Sequence, residues 1–541
     1  MSTDALEIPL SGEPVAPVSE QAGGLARFQK PLLALLLAVF FLVGWQGREP
    51  TMRAAGEDEF VYLALSKSLE TGSYREVFRP TAPLHVQYPP AYPAWLTLMR
   101  KVLGENLDRI RMANLVMAAT ALLLMFAVMR RLAGPEPALA LLLLLVLNPV
   151  LLRMGGAIVS ENLFLLVVTL ALVWTLSADA TGRPSAVLPI AFALLAFLTR
   201  SIGLAAVAGV GCWLWSRRRW GTLVGWGVAS VLVVGAWFSY TVLAGDSTVR
   251  SYSSDFAAVS AATGGTLLHL ARRVWSHGIE YATSGIPGSL SLPTIPGTLV
   301  DNWLWLAVSV ILLLTGWLVL WRRWRAAAVY VLSYLGILLI WPYTDDRLLA
   351  PLVPLALLAF LLGAYGVARA FPSRGRRPAL IGLIALLTFG AGRGALERLR
   401  LYRDCDRSNP LVSRACYKDE TLAMVAAAGY LREHAAPGDI VLSTSPASMN
   451  YLSGHPIEVL SLLVGLPAES ASDTLRARRI RFVVVPVPWA ARVLLPTCGR
   501  YQVSAEYLPF ALLLSTAEPS GSPDACSALR RFAAAPPPGS G

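Results

Sequence analysis

Asp58 and Glu59 stand side by side in GEDEFVYLALSKSLETG, residues 56–72, just after the first apolar run of the chain. Val61, Leu65 and Leu69 follow at i, i+4 spacing, which predicts an amphipathic helix that begins at the acids. A carboxylate at a helix N-terminus has two uses. It can cap the helix, accepting its free N–H groups and opposing its dipole. It can also stay ionised beside a low-dielectric membrane, the state a general base requires. Other polar residues that could share a site with it are Arg79, His85, Tyr88, Arg153, Glu161, Arg200 and the run Asp345-Asp346-Arg347. Glu161 and Arg200 are closely flanked by apolar sequence, where an ionisable side chain is expensive and points to function. Arg79 lies in a long polar segment and reads equally well as an ordinary loop residue.

The elements that must hold these residues are membrane spans. The chain has 541 residues, 55% hydrophobic and only 15% charged, whereas a soluble domain carries roughly 25% charged residues. The net charge of +12 sits in short clusters between apolar runs: Arg130-Arg131, Arg217 to Arg219, Arg322-Arg323-Arg325 and Arg374-Arg376-Arg377. That is the pattern of cytoplasmic loops and excludes a nucleic-acid-binding stripe. Apolarity predicts about 11 spans, with cores at 31–47, 110–130, 138–152, 160–178, 185–199, 202–216, 221–244, 301–321, 326–341, 348–368 and 378–395. Alternating them from a cytoplasmic start puts every arginine cluster inside, and the candidate site residues outside. Loss of one span from the pair 185–199 and 202–216 would invert everything after it.

The expected organisation is then a polytopic α-helical membrane protein. A disordered cytoplasmic tail, 1–30, precedes a signal anchor rather than a cleavable signal peptide, and Arg27 and Lys30 hold that tail inside. Residues 31–397 form the transmembrane domain, with outer loops 48–109 and 245–300. Residues 398–532 alternate helix and strand patterns (KDETLAMVAAAGYLREH, DIVLST, SPASMNYLSG, IEVLS, SASDTLRARR, IRFVVVPV), which predicts a periplasmic α/β domain. The remainder, 533–541, reads as a disordered tail. Four cysteines, Cys405, Cys416, Cys498 and Cys526, lie in the C-terminal domain, and an even number in an oxidising compartment favours disulfides. Cys405–Cys416 with Cys498–Cys526 is the simplest of three pairings. Zinc is the alternative, without CxxC spacing to support it. Cys212 falls inside a span and reads as packing.

The stretch from Asp58 to Pro93 resembles the first outer loop of polyprenyl-phosphate-dependent glycosyltransferases of the GT-C fold. It is similar to the branch with protein O-mannosyltransferases and lipid A aminoarabinose transferases. Those enzymes carry an Asp-Glu pair after the first span, then an aromatic residue, then a Pro-Pro motif before the second span. Here these are Asp58-Glu59, Tyr62 and QYPPAYPAW, Gln87 to Trp95. Looser likenesses are SENLF at 160–164, LTRSIG at 198–203 and DRLLAPLVP at 346–354. The likeness covers most of residues 31–370. One departure is Tyr88, standing where related transferases often have a lysine on the carrier phosphate, with Gln87 and His85 nearby.

The resemblance implies transfer of a sugar from a polyprenyl-phosphate carrier to an acceptor hydroxyl, with inversion and without a nucleotide. Asp58 would be the general base, with Glu59, Tyr62, His85, Tyr88 and Glu161 around the substrate. Arg200, Arg347 and Arg153 would meet the phosphate, since a guanidinium can hold two of its oxygens. No cofactor is implied. The alternative is a divalent metal held by Asp58, Glu59, Asp345 and Asp346, as in the oligosaccharyltransferase branch. The expected partners are the lipid-linked donor, membrane lipid and an acceptor that is protein, lipid A or glycan. The expected location is a bacterial inner membrane, with the C-terminal domain periplasmic. Two other classes fit outward-facing charges: a transporter or flippase of lipid-linked sugars, and a non-catalytic membrane scaffold. The chain shows no internal repeat, and its polar residues collect on one face, which counts against transport.

Overall fold

The computed structural model describes residues 25–48, 57–181, 185–244, 267–292, 299–370, 372–405, 416–417, 419–507, 510–516 and 523–534. The tail before Leu25, both flanks of the expected loop 245–300 (residues 245–266 and 293–298) and the last seven residues lie outside them. Every apolar segment picked from the sequence is helical: α1 (Leu25–Gln46), α4 (Leu107–Ala133), α5 (Pro135–Leu147), α7 (Ser160–Thr181), α8 (Val187–Thr199), α9 (Leu204–Ser216), α10 (Trp220–Leu243), α12 (Leu299–Arg323), α13 (Arg325–Ile340), α14 (Val353–Ala368) and α15 (Ser373–Leu401). Seven helices are long and apolar enough to cross a membrane, or eight if one bent pair is a single span. Three shorter apolar helices, Val187–Thr199, Ser201–Ser216 and Arg325–Ile340, accompany them.

The bent pair corrects the expectation of one continuous span over 138–152. Helix α5 stops at Asn148, and α6 (Pro149–Gly155) restarts at an angle of 60°. Asn148 Oδ1 accepts from the N–H groups of Val150 and Leu151 at 3.1 and 3.2 Å. Pro149 supplies a first helical residue that needs no partner for its nitrogen. Small residues set the closest helix crossing. A Cβ on Gly363 of α14 would collide with the Leu312 carbonyl of α12, and one on Gly316 of α12 with the Ala359 carbonyl. Backbones that approach this closely are how helices associate where no hydrophobic drive separates protein from lipid.

The segment after α1 is not an open loop. It holds α2 (Asp58–Glu70) and α3 (Ala91–Leu103), which pack together as a hairpin on the bundle. In the next long connection, α11 (Leu267–Glu280) is helical as well.

Helix α15 continues to Leu401, past the expected boundary at 398. The C-terminal domain then forms a five-stranded sheet in the order β2-β1-β3-β5-β4. Strands β1 (Ile440–Ser443), β2 (Ile457–Val459) and β3 (Ile480–Val485) are parallel and carry the patterns read from sequence. Strands β4 (Tyr501–Tyr507) and β5 (Ala511–Thr516) add an antiparallel edge that was not foreseen. β4 alternates polar and half-buried residues, so no apolar run marks it. The helices of this domain are α16 (Asp419–His434), α17 (Pro446–Ser453), α18 (Ala468–Ala477), α19 (Pro488–Leu494) and α20 (Pro523–Ala534). α20 includes Ala533 and Ala534, which the sequence assigns to the terminal tail. Disulfides join Cys405 to Cys416 and Cys498 to Cys526.

Candidate active site

Helix α2 presents Asp58 in its first turn, yet the carboxylate does not cap the helix. The N-cap position, Glu57, makes no side-chain capping hydrogen bond to α2, and Asp58 turns away from the backbone. Its Oδ1 accepts from the Tyr88 hydroxyl at 2.5 Å, and its Oδ2 from Arg347 Nη2 at 2.6 Å. Arg347 Nε lies 3.1 Å from Glu161 Oε1, and Arg200 Nη1 lies 2.7 Å from the same oxygen. Arg200 also donates to Ser160 Oγ at 3.0 Å, which sits 2.9 Å from the Tyr62 hydroxyl. Two arginines therefore share one buried carboxylate, and one of them also holds Asp58.

Each of these side chains is delivered by a helix end. Glu161 is in the first turn of α7, where the dipole favours a negative charge. Arg200 is the C-cap of α8, in extended backbone, before the short turn Ser201–Gly203 starts α9. Arg347 is in the 3-10 turn Asp346–Leu352 that leads into α14. Asp345 caps this turn, accepting from Arg347 N at 2.8 Å. The arginines and acids thus meet where helices stop, at the end of the bundle that carries the C-terminal domain.

Asp58, Arg200 and Arg347 line a cavity of about 260 Å³, walled also by Tyr62, Gln87, Tyr88, Pro89, Thr199, Trp341, Tyr343 and Leu348; Glu161, expected at the substrate, pairs with the arginines but does not line it. The Tyr62 ring packs at a tilt against Tyr88 with ring centroids 4.9 Å apart, and burial pushes its hydroxyl well above the ordinary value, so it remains a donor. A second cavity of about 250 Å³ runs between α12, α13 and α14 and is almost wholly apolar, lined by Leu313, Trp317, Leu335, Leu349, Leu352 and Val353 among others. Leu348 faces the polar cavity and Leu349 the apolar one, so a single turn joins the two.

Several expected site residues are elsewhere. Glu59 is buried on the other side of α2, 3.3 Å from Arg111, because consecutive helical residues point about 100° apart. It does not line the cavity. His85 is buried beneath Tyr88 with both ring nitrogens engaged, Nδ1 with Glu76 at 2.9 Å and Nε2 with Tyr88 N at 2.9 Å. Arg153 does not line the cavity, and its Nε is buried with no hydrogen-bond partner among the described residues. Arg79 is a buried ion-pair residue rather than an exposed one. The carboxylates Asp58, Glu59, Asp345 and Asp346 do not converge, and among the described residues no three His, Cys, Asp or Glu side chains gather as a metal site.

Sequence reasoning missed Ser160, Thr199, Trp341 and Tyr343. Trp341 and Tyr343 belong to WPYTDD, an aromatic cluster between an apolar run and the motif containing Arg347. Amphipathic rings at that depth were the available signal.

Residues 87–240 match the family model for dolichyl-phosphate-mannose-protein mannosyltransferase. The chain superposes on ArnT from Cupriavidus metallidurans in the apo state with a TM-score of 0.55 and 13% identity, over 92% of this chain and 99% of that one. The same protein bound to undecaprenyl phosphate gives a TM-score of 0.55 and 13% identity, over 92% and 100% of the two chains. The oligosaccharyltransferase AglB from Archaeoglobus fulgidus, in complex with an inhibitory peptide and a dolichol-phosphate, gives 0.51 and 11%, over 87% of this chain and 71% of that one. The fold is GT-C. No curated protein sequence matches the chain. In this GT-C chain, the matched segment opens at Gln87 and covers Tyr88, Glu161 and Arg200, while Asp58 and Arg347 fall outside it.

Proposed function

We propose that the protein is an inverting glycosyltransferase that moves a sugar from a polyprenyl-phosphate carrier to an acceptor hydroxyl. The observation that carries the reading is the Asp58–Arg347 pair at the junction of a polar cavity and an apolar groove. An isoprenoid tail suits the groove, a phosphate suits the two arginines, and a hydroxyl suits a carboxylate oxygen that Arg347 gives up to the phosphate. The neighbours that bind undecaprenyl phosphate and dolichol-phosphate share the fold.

In this reading the donor phosphate draws Arg347 from Asp58, and Arg200 joins it. Glu161, paired with both arginines, holds their heads at the cavity wall and is not itself a sugar contact. Asp58 takes the proton of the acceptor hydroxyl as its oxygen attacks the anomeric carbon from the face opposite the phosphate. The bond to the phosphate oxygen breaks, and the arginines stabilise the charge left on it. Tyr88 aims Asp58, and Tyr62 closes the side of the cavity. The cleft end of the bundle is read as periplasmic, in a bacterial inner membrane, because alternation from a cytoplasmic start puts the arginine clusters on the other side. Acceptance of pentoses or hexoses is open to the same geometry.

The test is sugar release from a panel of undecaprenyl-phosphate-linked hexoses and pentoses by the purified full chain, with wild type beside Asp58→Asn. Turnover by wild type and its loss in the variant are expected. Wild-type translocation of the lipid across vesicles without sugar release would support a flippase instead.

A further inference from the structure

The C-terminal domain does more than sit beside the cleft. We propose that it is part of the catalytic unit, and that Glu458 on β2 positions the base through a buried chain of Arg79, Glu76, His85 and Tyr88. This rests on the reading of Asp58 as the base.

The chain is continuous. Arg79 donates to Glu458 Oε1 from Nη2 at 2.6 Å and from Nε at 3.1 Å. Its Nη1 donates to Glu76 Oε2 at 3.4 Å. Glu76 Oε1 is 2.9 Å from His85 Nδ1, and the backbone N–H of Tyr88 points at His85 Nε2 at 2.9 Å. The Tyr88 hydroxyl then donates to Asp58 at 2.5 Å. A backbone N–H can only donate, so Nε2 is the bare nitrogen and Nδ1 carries the hydrogen given to Glu76. The tautomer of His85 is therefore set by Tyr88 N and Glu76, and the C-terminal domain reaches it through Arg79, which holds Glu76. Glu458, His85, Arg79 and Glu76 are 0, 1, 3 and 8% exposed.

Two further contacts bear on the same stretch. Glu57, the neighbour of Asp58, accepts from the backbone N–H groups of Ala447 and Ser448 and from Ser448 Oγ, at the start of α17. Ile457 N donates to the Phe78 carbonyl at 2.9 Å. Between α2 and α3, the segment carrying Glu76 to Tyr88 has only one isolated bridge, Arg75 with Leu84. Such a segment lacks a backbone ladder of its own, so its side chains are placed by what they pack against. Buried ion pairs add little net stability compared with apolar packing, but they do fix direction.

Hydrogen exchange on the full chain, without substrate, tests the proposal first. Glu458→Gln should raise exchange at the Tyr88 amide at least tenfold on the scale of ~1–2 kcal/mol coupling, while Tyr88→Phe should leave that amide protected. Unchanged protection in Glu458→Gln overturns the proposal. With whichever panel donor the wild type consumes, Glu458→Gln should lower kcat about tenfold with donor KM unchanged. In a Tyr88→Phe background the added loss should shrink to about twofold or less. Equal losses in both backgrounds, or a change in KM alone, overturn it. If Glu458→Gln does not fold, Ser448→Ala, which removes one hydroxyl donor from Glu57, should raise exchange over residues 57–62, and no change there overturns the proposal. Asp58→Asn run alongside separates the two ideas: full activity in it defeats the base assignment, whatever the exchange shows.

Discussion

Asp58 and Glu59 are neighbours of opposite fate. Asp58 joins Arg347 and Arg200 around a cavity, with Glu161 paired to both arginines behind its wall. Glu59 joins Arg111, which also meets Asp108 at 3.3 Å, and Asp108 in turn meets Arg48 at 3.2 Å. Both clusters alternate acid and base, and both tie α2 to the helices behind it. They differ in access. Asp58 opens onto the cavity, whereas Glu59 is 2% exposed and packed among helices. An ion-pair cluster is therefore no sign of catalysis by itself. A cavity beside it, wide enough for a substrate to exchange partners with the ions, is what distinguishes a working site from a brace.

The contrast can be broken from either side. The largest effect is expected from Asp58→Asn, which keeps the shape but cannot take a proton. Sugar transfer should fall ~10²–10⁴-fold, with little change in melting temperature. Lost activity together with lost folding would return Asp58 to a structural role. Next comes Arg347→Ala, which removes the charged contact proposed for the phosphate. Undecaprenyl phosphate should bind ~10–100-fold more weakly, and Arg347→Lys should recover only part because an ammonium lacks the fork. Normal binding in both variants would move the phosphate elsewhere.

Glu59→Gln should do the reverse of Asp58→Asn. It strips one charge from a buried pair, so thermal unfolding should come earlier by the equivalent of ~1–3 kcal/mol while kcat stays within about twofold. A large loss of kcat with unchanged stability would restore Glu59 to the site.

The smallest effect concerns pH. Burial pushes the Glu57 carboxyl up from 4.5 to about 7, against the hydrogen bonds from Ser448 and Ala447. A carboxyl raised in the folded state binds its proton more tightly there than in the unfolded chain. Its contribution is therefore fully present below about 4.5 and is lost as pH rises to about 7. This should amount to about 1–2 kcal/mol for a half-buried group. Unfolding midpoints of wild type and Glu57→Gln across that window should converge at low pH if Glu57 is responsible.

Much of this molecule was legible in one dimension. Apolar runs in a bilayer must be helical, so every expected span falls on helix, though the run 138–152 breaks into two at Asn148. Ionisable residues at the edges of those runs are costly, and that cost singled out Glu161 and Arg200, while Arg347 came from the family resemblance. The parallel strands of the C-terminal domain were readable as short β-branched runs, whereas β4 carries no such run and was not. The partners of each charge were not legible. Asp58 and Glu59 have the same chemistry and adjacent positions, and only the packing of α2 against α4, the late turn before α14 and α17 decides which one meets the cavity. The link from Glu458 to His85 is equally hidden, since it joins residues hundreds of positions apart. Helix formation is local and is written in periodicity. Which faces meet is set by the whole bundle at once, and the chemistry depends on those meetings.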